Sequence, residues 1–168
     1  MKVRIVCEEG DGLVLIDKSF LEELQNDDLL YEMDILLDRK GTSELVCDFS
    51  DEKWDIVWPR ESKIIREFCN TGKMIIWLTD SIETVCELKE ENKIDKSSMW
   101  LNAPSGKLLG VSASELIQCL AYPELEMEKL FELGVDAGWY QVLNEGIESI
   151  LYCKQEPKDD LIQNVQIL

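Results

Sequence analysis

The chain has 168 residues, of which 45% are hydrophobic and 31% charged, a globular composition that can build a conventional core without disulfides or metals. Lys and Arg number 17 against 35 Asp and Glu, and the net charge of −18 disfavours nucleic acid and anionic membranes as ligands. Histidine is absent, which removes the commonest general base, most zinc sites and every Ser-His or Cys-His nucleophile. We therefore expect one domain, residues 1–168, that is not an enzyme.

The amino-terminal segment predicts a hairpin and then a short helix. Residues 2–7 and 13–16 are β-type runs on either side of a glycine-containing turn. Ser19 and Glu22 have the spacing of a capping box, so a helix is expected to begin there.

A second helix is the clearest element of the sequence. Asp27 or Asp28 is placed to cap it, and Gly41 follows its end. Its apolar residues fall on one face of the helix, at Leu29, Leu30, Met33, Leu36 and Leu37.

The middle of the chain predicts strands around a further helix. Residues 45–49 and 54–58 alternate between apolar and polar types and are joined by an acidic turn, which indicates two paired strands. Residues 60–70 have helical periodicity, and residues 74–78 are a continuous apolar run typical of a central strand covered on both faces. Residues 81–93 fit either a helix or a strand, and we prefer the helix.

The second half begins with a predicted hairpin formed by residues 98–101 and 107–111 around the turn Pro104-Ser105-Gly106. Ser112 and Glu115 then have capping-box spacing, which predicts another helix.

The last part of the sequence contains one ambiguous segment and two clearer strands. Residues 124–133 fit either a helix or a strand, whereas residues 139–143 and 147–153 indicate strands joined by a short turn. Residues 157–168 are expected to form a loosely ordered tail. The predicted fold class is α+β, with a mainly antiparallel sheet that contains hairpins and is packed by several helices.

The six cysteines include no C-x-x-C pair, and most of them lie within apolar patterns, where a free thiol behaves as a small hydrophobe. The start of the chain is charged and alternating rather than apolar, so no signal peptide is expected. We interpret the cysteines as reduced and buried in a cytoplasmic protein. No phosphate-binding loop or calcium loop is complete, so we expect no cofactor and no metal.

One acidic segment surrounds a tryptophan and is the predicted partner-binding site. An indole among carboxylates can form a desolvated anchor with a charged rim for a basic partner. The alternative is a solvated turn beside a buried indole. The predicted contact residues are Asp48, Asp51, Glu52, Trp54 and Asp55.

Three segments of the second half resemble immunity proteins encoded beside bacterial polymorphic or contact-dependent toxins: Met99-Trp100-Leu101-Asn102, Ser105-Gly106-Lys107-Leu108-Leu109 and Val135 to Val142. The opening Gly12-Leu13-Val14-Leu15-Ile16 before an acidic helical stretch is similar to several of them as well. The resemblance implies a small cytoplasmic inhibitor that binds one cognate toxin, and it assigns no functional residue.

The sequence thus predicts an immunity protein that neutralises a cognate toxin, with a basic nuclease-type domain as the expected target. Two other classes stay open. An acidic mimic of nucleic acid would space its carboxylates like phosphates along an elongated face, and a carboxylate enzyme would bring them together in a pocket.

Overall fold

The computed structural model describes residues 2–6, 12–39, 47–50, 53–56, 62–78, 83–88, 99–127, 129, 131–144, 149–154, 162 and 164–167. Its helices are a 3-10 turn at Lys18–Phe20 followed by α1 (Leu21–Leu24), α2 (Asp27–Arg39), α3 (Lys63–Asn70) and α4 (Ala113–Ala121). Its strands are β1 (Lys2–Val6), β2 (Gly12–Asp17), β3 (Cys47–Ser50), β4 (Lys53–Ile56), β5 (Met74–Leu78), β6 (Glu83–Leu88), β7 (Met99–Ala103), β8 (Lys107–Ser112), β9 (Phe131–Gly134), β10 (Gly138–Asn144), β11 (Ser149–Lys154) and β12 (Val165–Ile167). The α+β class predicted from the sequence is confirmed.

The strands form two five-stranded sheets and a separate hairpin. Sheet A has the order β1-β6-β11-β10-β7, sheet B has the order β12-β5-β2-β8-β9, and β3 pairs with β4 alone. Most pairs are antiparallel, whereas β11 with β6 and β12 with β5 are parallel. The predicted hairpin of the late strands is confirmed, because β10 and β11 are antiparallel neighbours.

Sheet B is the middle layer of the fold and is buried on both faces. In β2, Leu13 and Leu15 pack toward sheet A, whereas Val14 and Ile16 pack toward the helices. Strand β5 divides its side chains in the same way, with Trp77 on the sheet A side. This two-sided burial explains the continuous apolar runs of both strands and confirms that β5 is covered on both faces.

The two hairpins predicted at the sequence breaks near residues 10 and 105 are wrong. Strand β1 pairs with β6 in sheet A, whereas β2 lies between β5 and β8 in sheet B. Likewise β7 belongs to sheet A and β8 to sheet B, so the turn at residues 104–106 crosses between the sheets. A turn motif reports a change of chain direction but not which strands become hydrogen-bonded.

The ambiguous segments are resolved as strands. The preferred helix at residues 81–93 is wrong, since Glu83–Leu88 forms β6 between β1 and β11. Within residues 124–133 a strand begins at Phe131. The helix at residues 60–70 is confirmed as α3, and the segment expected to be a loose tail contains β12.

Helix starts differ from the predicted caps in two of three cases. Asp17 accepts the Ser19 backbone N–H at 2.9 Å, so the first helical turn begins before the predicted capping box. Asn26, not Asp27 or Asp28, accepts the backbone N–H groups at the start of α2. The third cap is confirmed, because the Ser112 side chain accepts the backbone N–H of Glu115.

Candidate functional site

Three of the five predicted partner-binding residues lie on the paired strands β3 and β4. Asp48 lies on β3, and Trp54 and Asp55 lie on β4, where the backbone register pairs Asp48 with Asp55. Asp51 and Glu52 lie outside the described residues. The two predicted strands are confirmed, and the role of the hairpin in binding stays a prediction.

A different surface stands out among the described residues, on the helices that cover sheet B. Helix α2 contacts both α3 and α4. Every large hydrophobic side chain that is strongly exposed within the described ranges belongs to this layer. They are Tyr31 on α2, Ile64 on α3, and Tyr122 and Leu125 directly after α4.

Acidic side chains surround the most exposed of these residues. Tyr31 is 63% exposed, and Asp27, Asp28 and Asp34 lie three or four positions away on α2, which makes them its neighbours on the helix surface. All three aspartates are exposed. We call Asp27, Asp28, Tyr31 and Asp34, together with the exposed Ile64, Tyr122 and Leu125, the helical face.

The stretch of sequence that contains α1 and α2 has no basic residue before Arg39, the last residue of α2, whereas α3, which contributes Ile64, has the exposed Lys63 and Arg66. Between Lys18 and Arg39 there is neither Lys nor Arg, whereas the same stretch contains seven acidic residues: Glu22, Glu23, Asp27, Asp28, Glu32, Asp34 and Asp38. Lys73 reaches one of them from outside the stretch, with its Nζ 2.7 Å from Glu23 Oε2. Helix α2 itself therefore carries a concentration of negative charge, which favours a basic partner.

Glu32, one of the acidic residues of this stretch, has a structural role in α3. Its side chain is buried, and Glu32 Oε2 accepts the backbone N–H of Ile65 at 2.7 Å. Ile65 is the third residue of α3, where the helix leaves its N–H groups without intrahelical partners. Ser62, at the cap position, makes no side-chain capping bond, so Glu32 supplies the cap from α2.

Asp17 is the second buried carboxylate, and it anchors the turn between β7 and β8. Its Oδ1 accepts the hydroxyls of Ser19 at 2.6 Å and Ser105 at 2.7 Å, and its Oδ2 accepts the Ser105 backbone N–H at 3.2 Å. Burial acts to raise the pKa of Asp17, but these serine donors together lower it below its ordinary value. Asp17 and Glu32 are thus both committed to holding the fold together.

Two cysteine side chains lie in the described part of the chain, and both agree with the prediction of buried thiols. Cys69 and Cys119 are free and buried. Burial raises the pKa of both thiols, and at Cys119 the neighbouring Glu115 adds to the effect. A thiol in such surroundings is a packing group rather than a nucleophile.

The described part of the chain contains neither a metal-binding cluster nor a helix suited to span a membrane. Within it, no group of three or more His, Cys, Asp and Glu side chains is arranged to hold a metal ion. Among its helices, none combines the length and the apolar character needed to cross a membrane.

Sequence reasoning had missed the helical face although two signals for it were present. The apolar stripe of α2 leaves Tyr31 on the opposite side, where an aromatic residue has no core to fill. The stretch from Lys18 to Arg39 also lacks any basic residue. Neither signal indicates a binding surface until the position of α2 between α3 and α4 is known.

Comparisons with known proteins relate this chain to a fold and not to a family. No protein-family model matches it, and no curated protein matches it significantly. A solved structure described as "Crocagin biosynthetic gene J" is similar over 93% of this chain and 98% of that one, with a TM-score of 0.51 and 12% sequence identity. At that identity the two proteins share the arrangement of their elements.

Proposed function

We propose that this protein is a cytoplasmic immunity protein that binds and neutralises a basic toxin domain. The observation that carries the proposal is the helical face, where carboxylates surround an exposed tyrosine on a chain with a net charge of −18. A toxin that cleaves nucleic acid must itself neutralise phosphates, so its active face is complementary in charge.

The helical face combines the two properties expected of a tight protein interface. Tyrosine is enriched among residues that dominate binding energy, because it buries a large rigid surface and retains a polar tip. The aspartates beside Tyr31 would lie at the rim, where charges mainly speed the encounter with an opposite charge. Ile64, Tyr122 and Leu125 add exposed apolar side chains from the neighbouring elements of the helical layer.

The two buried carboxylates weigh against the enzyme alternative for the described residues. Asp17 accepts hydrogen bonds from two serines, and Glu32 accepts one from the start of α3. A general acid or base needs a group that is free to exchange a proton with substrate, whereas these two are engaged in the fold. The aspartates beside Tyr31 are exposed on the surface of α2, whereas a carboxylate enzyme would bring its carboxylates together in a pocket.

The nucleic-acid mimic is the remaining alternative, and the helical face distinguishes it from a toxin inhibitor. A mimic depends on a continuous row of negative charge, whereas here an exposed tyrosine interrupts the carboxylates. A mimic should therefore tolerate Tyr31→Ala and a cognate inhibitor should not. The hairpin residues Asp51, Glu52 and Asp55 stay a second candidate contact, which the same experiment tests.

The experiment is rescue of growth when the product of the adjacent gene is expressed in a bacterial host. We expect the wild-type protein to restore growth and Tyr31→Ala or Asp34→Lys to restore much less. Glu132→Lys is the charge-reversal control, because it reverses an exposed carboxylate that lies on β9, pairs with Lys129 and is not part of the helical face. Rescue by neither wild type nor variants would refute the toxin proposal, and rescue lost only in the Asp51, Glu52 and Asp55 reversal would transfer the contact to the hairpin.

A further inference from the structure

Three exposed carboxylates of α2 differ from other acidic side chains in having no cation beside them. Glu23, on the neighbouring helix α1, is neutralised by Lys73, whose Nζ lies 2.7 Å from its Oε2. Within the described residues, by contrast, no hydrogen bond or ion pair engages the side chains of Asp27, Asp28 and Asp34. The negative charge of these three aspartates is therefore available to a partner.

The aromatic ring of Tyr31 lies among these aspartates. Asp27 and Asp28 come four and three positions before it, and Asp34 comes three positions after it. Long side chains of a helix point back toward its amino terminus, which directs the ring toward the turn that contains Asp27 and Asp28. Tyr31 is 63% exposed, so much of its ring surface is open. A group that docks on the ring thus comes within reach of carboxylates at the same time.

This combination suits a guanidinium group better than an ammonium group. A guanidinium is planar and weakly hydrated, so it can stack its flat face on the Tyr31 ring while the N–H groups at its edge donate to carboxylates. An ammonium is a compact and strongly hydrated charge, and contact with the ring turns fewer of its donors toward the aspartates. Arginine therefore satisfies the ring and the carboxylates together.

The exposure of Tyr31 indicates that this guanidinium belongs to a protein rather than to a free small molecule. At an exposed site a contact between a cation and a ring strengthens binding only about twofold to fivefold. That gain is too small to retain free arginine, but it adds to the other contacts of a protein interface. The exposed Ile64, Tyr122 and Leu125 of the same helical layer offer such contacts to a protein.

On the binding surface assigned under the proposed function, on which this inference rests, we propose that the helical face recognises an arginine side chain of its basic protein partner. The guanidinium stacks on Tyr31 and pairs with the carboxylates of Asp27, Asp28 or Asp34. The partner thus presents an arginine at this point of the interface, and a lysine in its place binds less tightly.

The test uses the full-length protein and two synthetic probes, so it needs no toxin. The probes are short fluorescent peptides of equal charge, in which alanines alternate with either three arginines or three lysines, and binding is followed by anisotropy. Tyr31→Phe keeps the ring, whereas Tyr31→Leu keeps an apolar side chain without a ring. Asp34→Asn and Glu132→Gln each remove one exposed negative charge, and Glu132 lies outside the helical face.

We expect the wild-type protein to bind the arginine peptide about threefold or more tightly than the lysine peptide. Tyr31→Phe should keep this preference, and Tyr31→Leu should abolish it, with circular dichroism confirming that both variants are folded. Asp34→Asn should weaken binding of the arginine peptide about twofold or more, and Glu132→Gln should weaken it less.

Equal binding of the two peptides, or an arginine preference that survives Tyr31→Leu, would overturn the proposal. The growth-rescue experiment decides the toxin proposal separately. An arginine preference that depends on Tyr31, in a protein that fails to rescue growth, would support the arginine site and refute only the toxin function. Rescue by a protein without this preference would refute the arginine site alone.

Discussion

The buried carboxylate of Glu32 provides the sharpest test of how the helical layer is held together. Glu32→Gln keeps the shape and an acceptor oxygen for the Ile65 N–H but removes the charge. Hydrogen bonds to charged groups contribute about 1.5–3 kcal/mol against about 0.5–1.5 kcal/mol for neutral ones. The negative charge at the start of α3 adds a favourable interaction with the helix dipole. We therefore expect Glu32→Gln to lower the free energy of unfolding by about 1–2 kcal/mol.

The measurement is urea unfolding followed by circular dichroism, with thermal unfolding as a second readout. A loss of about 1.5 kcal/mol corresponds to a fall in Tm of roughly 3–6 °C for a domain of this size. The matched control is Asp34→Asn, two positions further along α2, where an exposed carboxylate should change stability by no more than about 0.5 kcal/mol. Equal effects of the two substitutions would refute the assignment of Glu32 as the cap of α3.

Three further predictions concern stability and reactivity. Because the folded-state pKa of Asp17 is lowered, its contribution is present above the unfolded pKa of about 3.9 and is lost as the pH falls through the folded value. Asp17→Asn should thus flatten the acid limb of the stability curve, and an unchanged limb would contradict this. Gly106→Ala should cost about 2 kcal/mol or more, because Gly106 has φ of +69° and a Cβ there would overlap the Val135 carbonyl oxygen. Gly134→Ala is its control, since nothing lies within 4 Å of the added Cβ, and equal costs in unfolding experiments would show the backbone argument to be wrong. Cys69 should resist iodoacetamide in the native protein, because burial raises its pKa, and modification as fast as in urea, read by mass spectrometry, would disprove this.

The spacing of apolar residues predicted two kinds of element: a helix that is buried on one face and a strand that is buried on both faces. The apolar stripe from Leu29 to Leu37 became the buried side of α2, and the run from Met74 to Leu78 became a strand covered on both faces. The Ser112 cap was predicted because its hydrogen bond is local. These features depend only on neighbours within a few residues along the chain.

Pairing between distant segments is where sequence reasoning failed. Strand β6 has helical as well as β-type spacing, and its pairing with β1 and β11 decided the outcome. Strands β1 and β2 are consecutive in the sequence but belong to different sheets. No local signal distinguishes a turn that closes a hairpin from one that crosses between layers.

The candidate functional surfaces show the same limit. The hairpin around Trp54 was predicted from composition alone, and the helical face emerged only when Tyr31 was found exposed on a helix between two others. The buried Asn164 carried no sequence signal, because the partners of its side-chain amide are main-chain groups up to 95 residues away in sequence. A residue that contacts backbone groups far away in the sequence produces no periodic pattern among the residues beside it.

The measurement that tests the central claim most directly is the binding kinetics of the adjacent gene's product with three variants at two salt concentrations. If the helical face is the contact, Asp34→Lys should slow association and weaken its salt dependence, while Tyr31→Ala should chiefly speed dissociation, at a cost of about 2 kcal/mol or more. Glu132→Lys should leave both rates near those of wild type, since its carboxylate lies on β9. Unchanged rates for both Asp34→Lys and Tyr31→Ala, with circular dichroism showing folded proteins, would contradict the account.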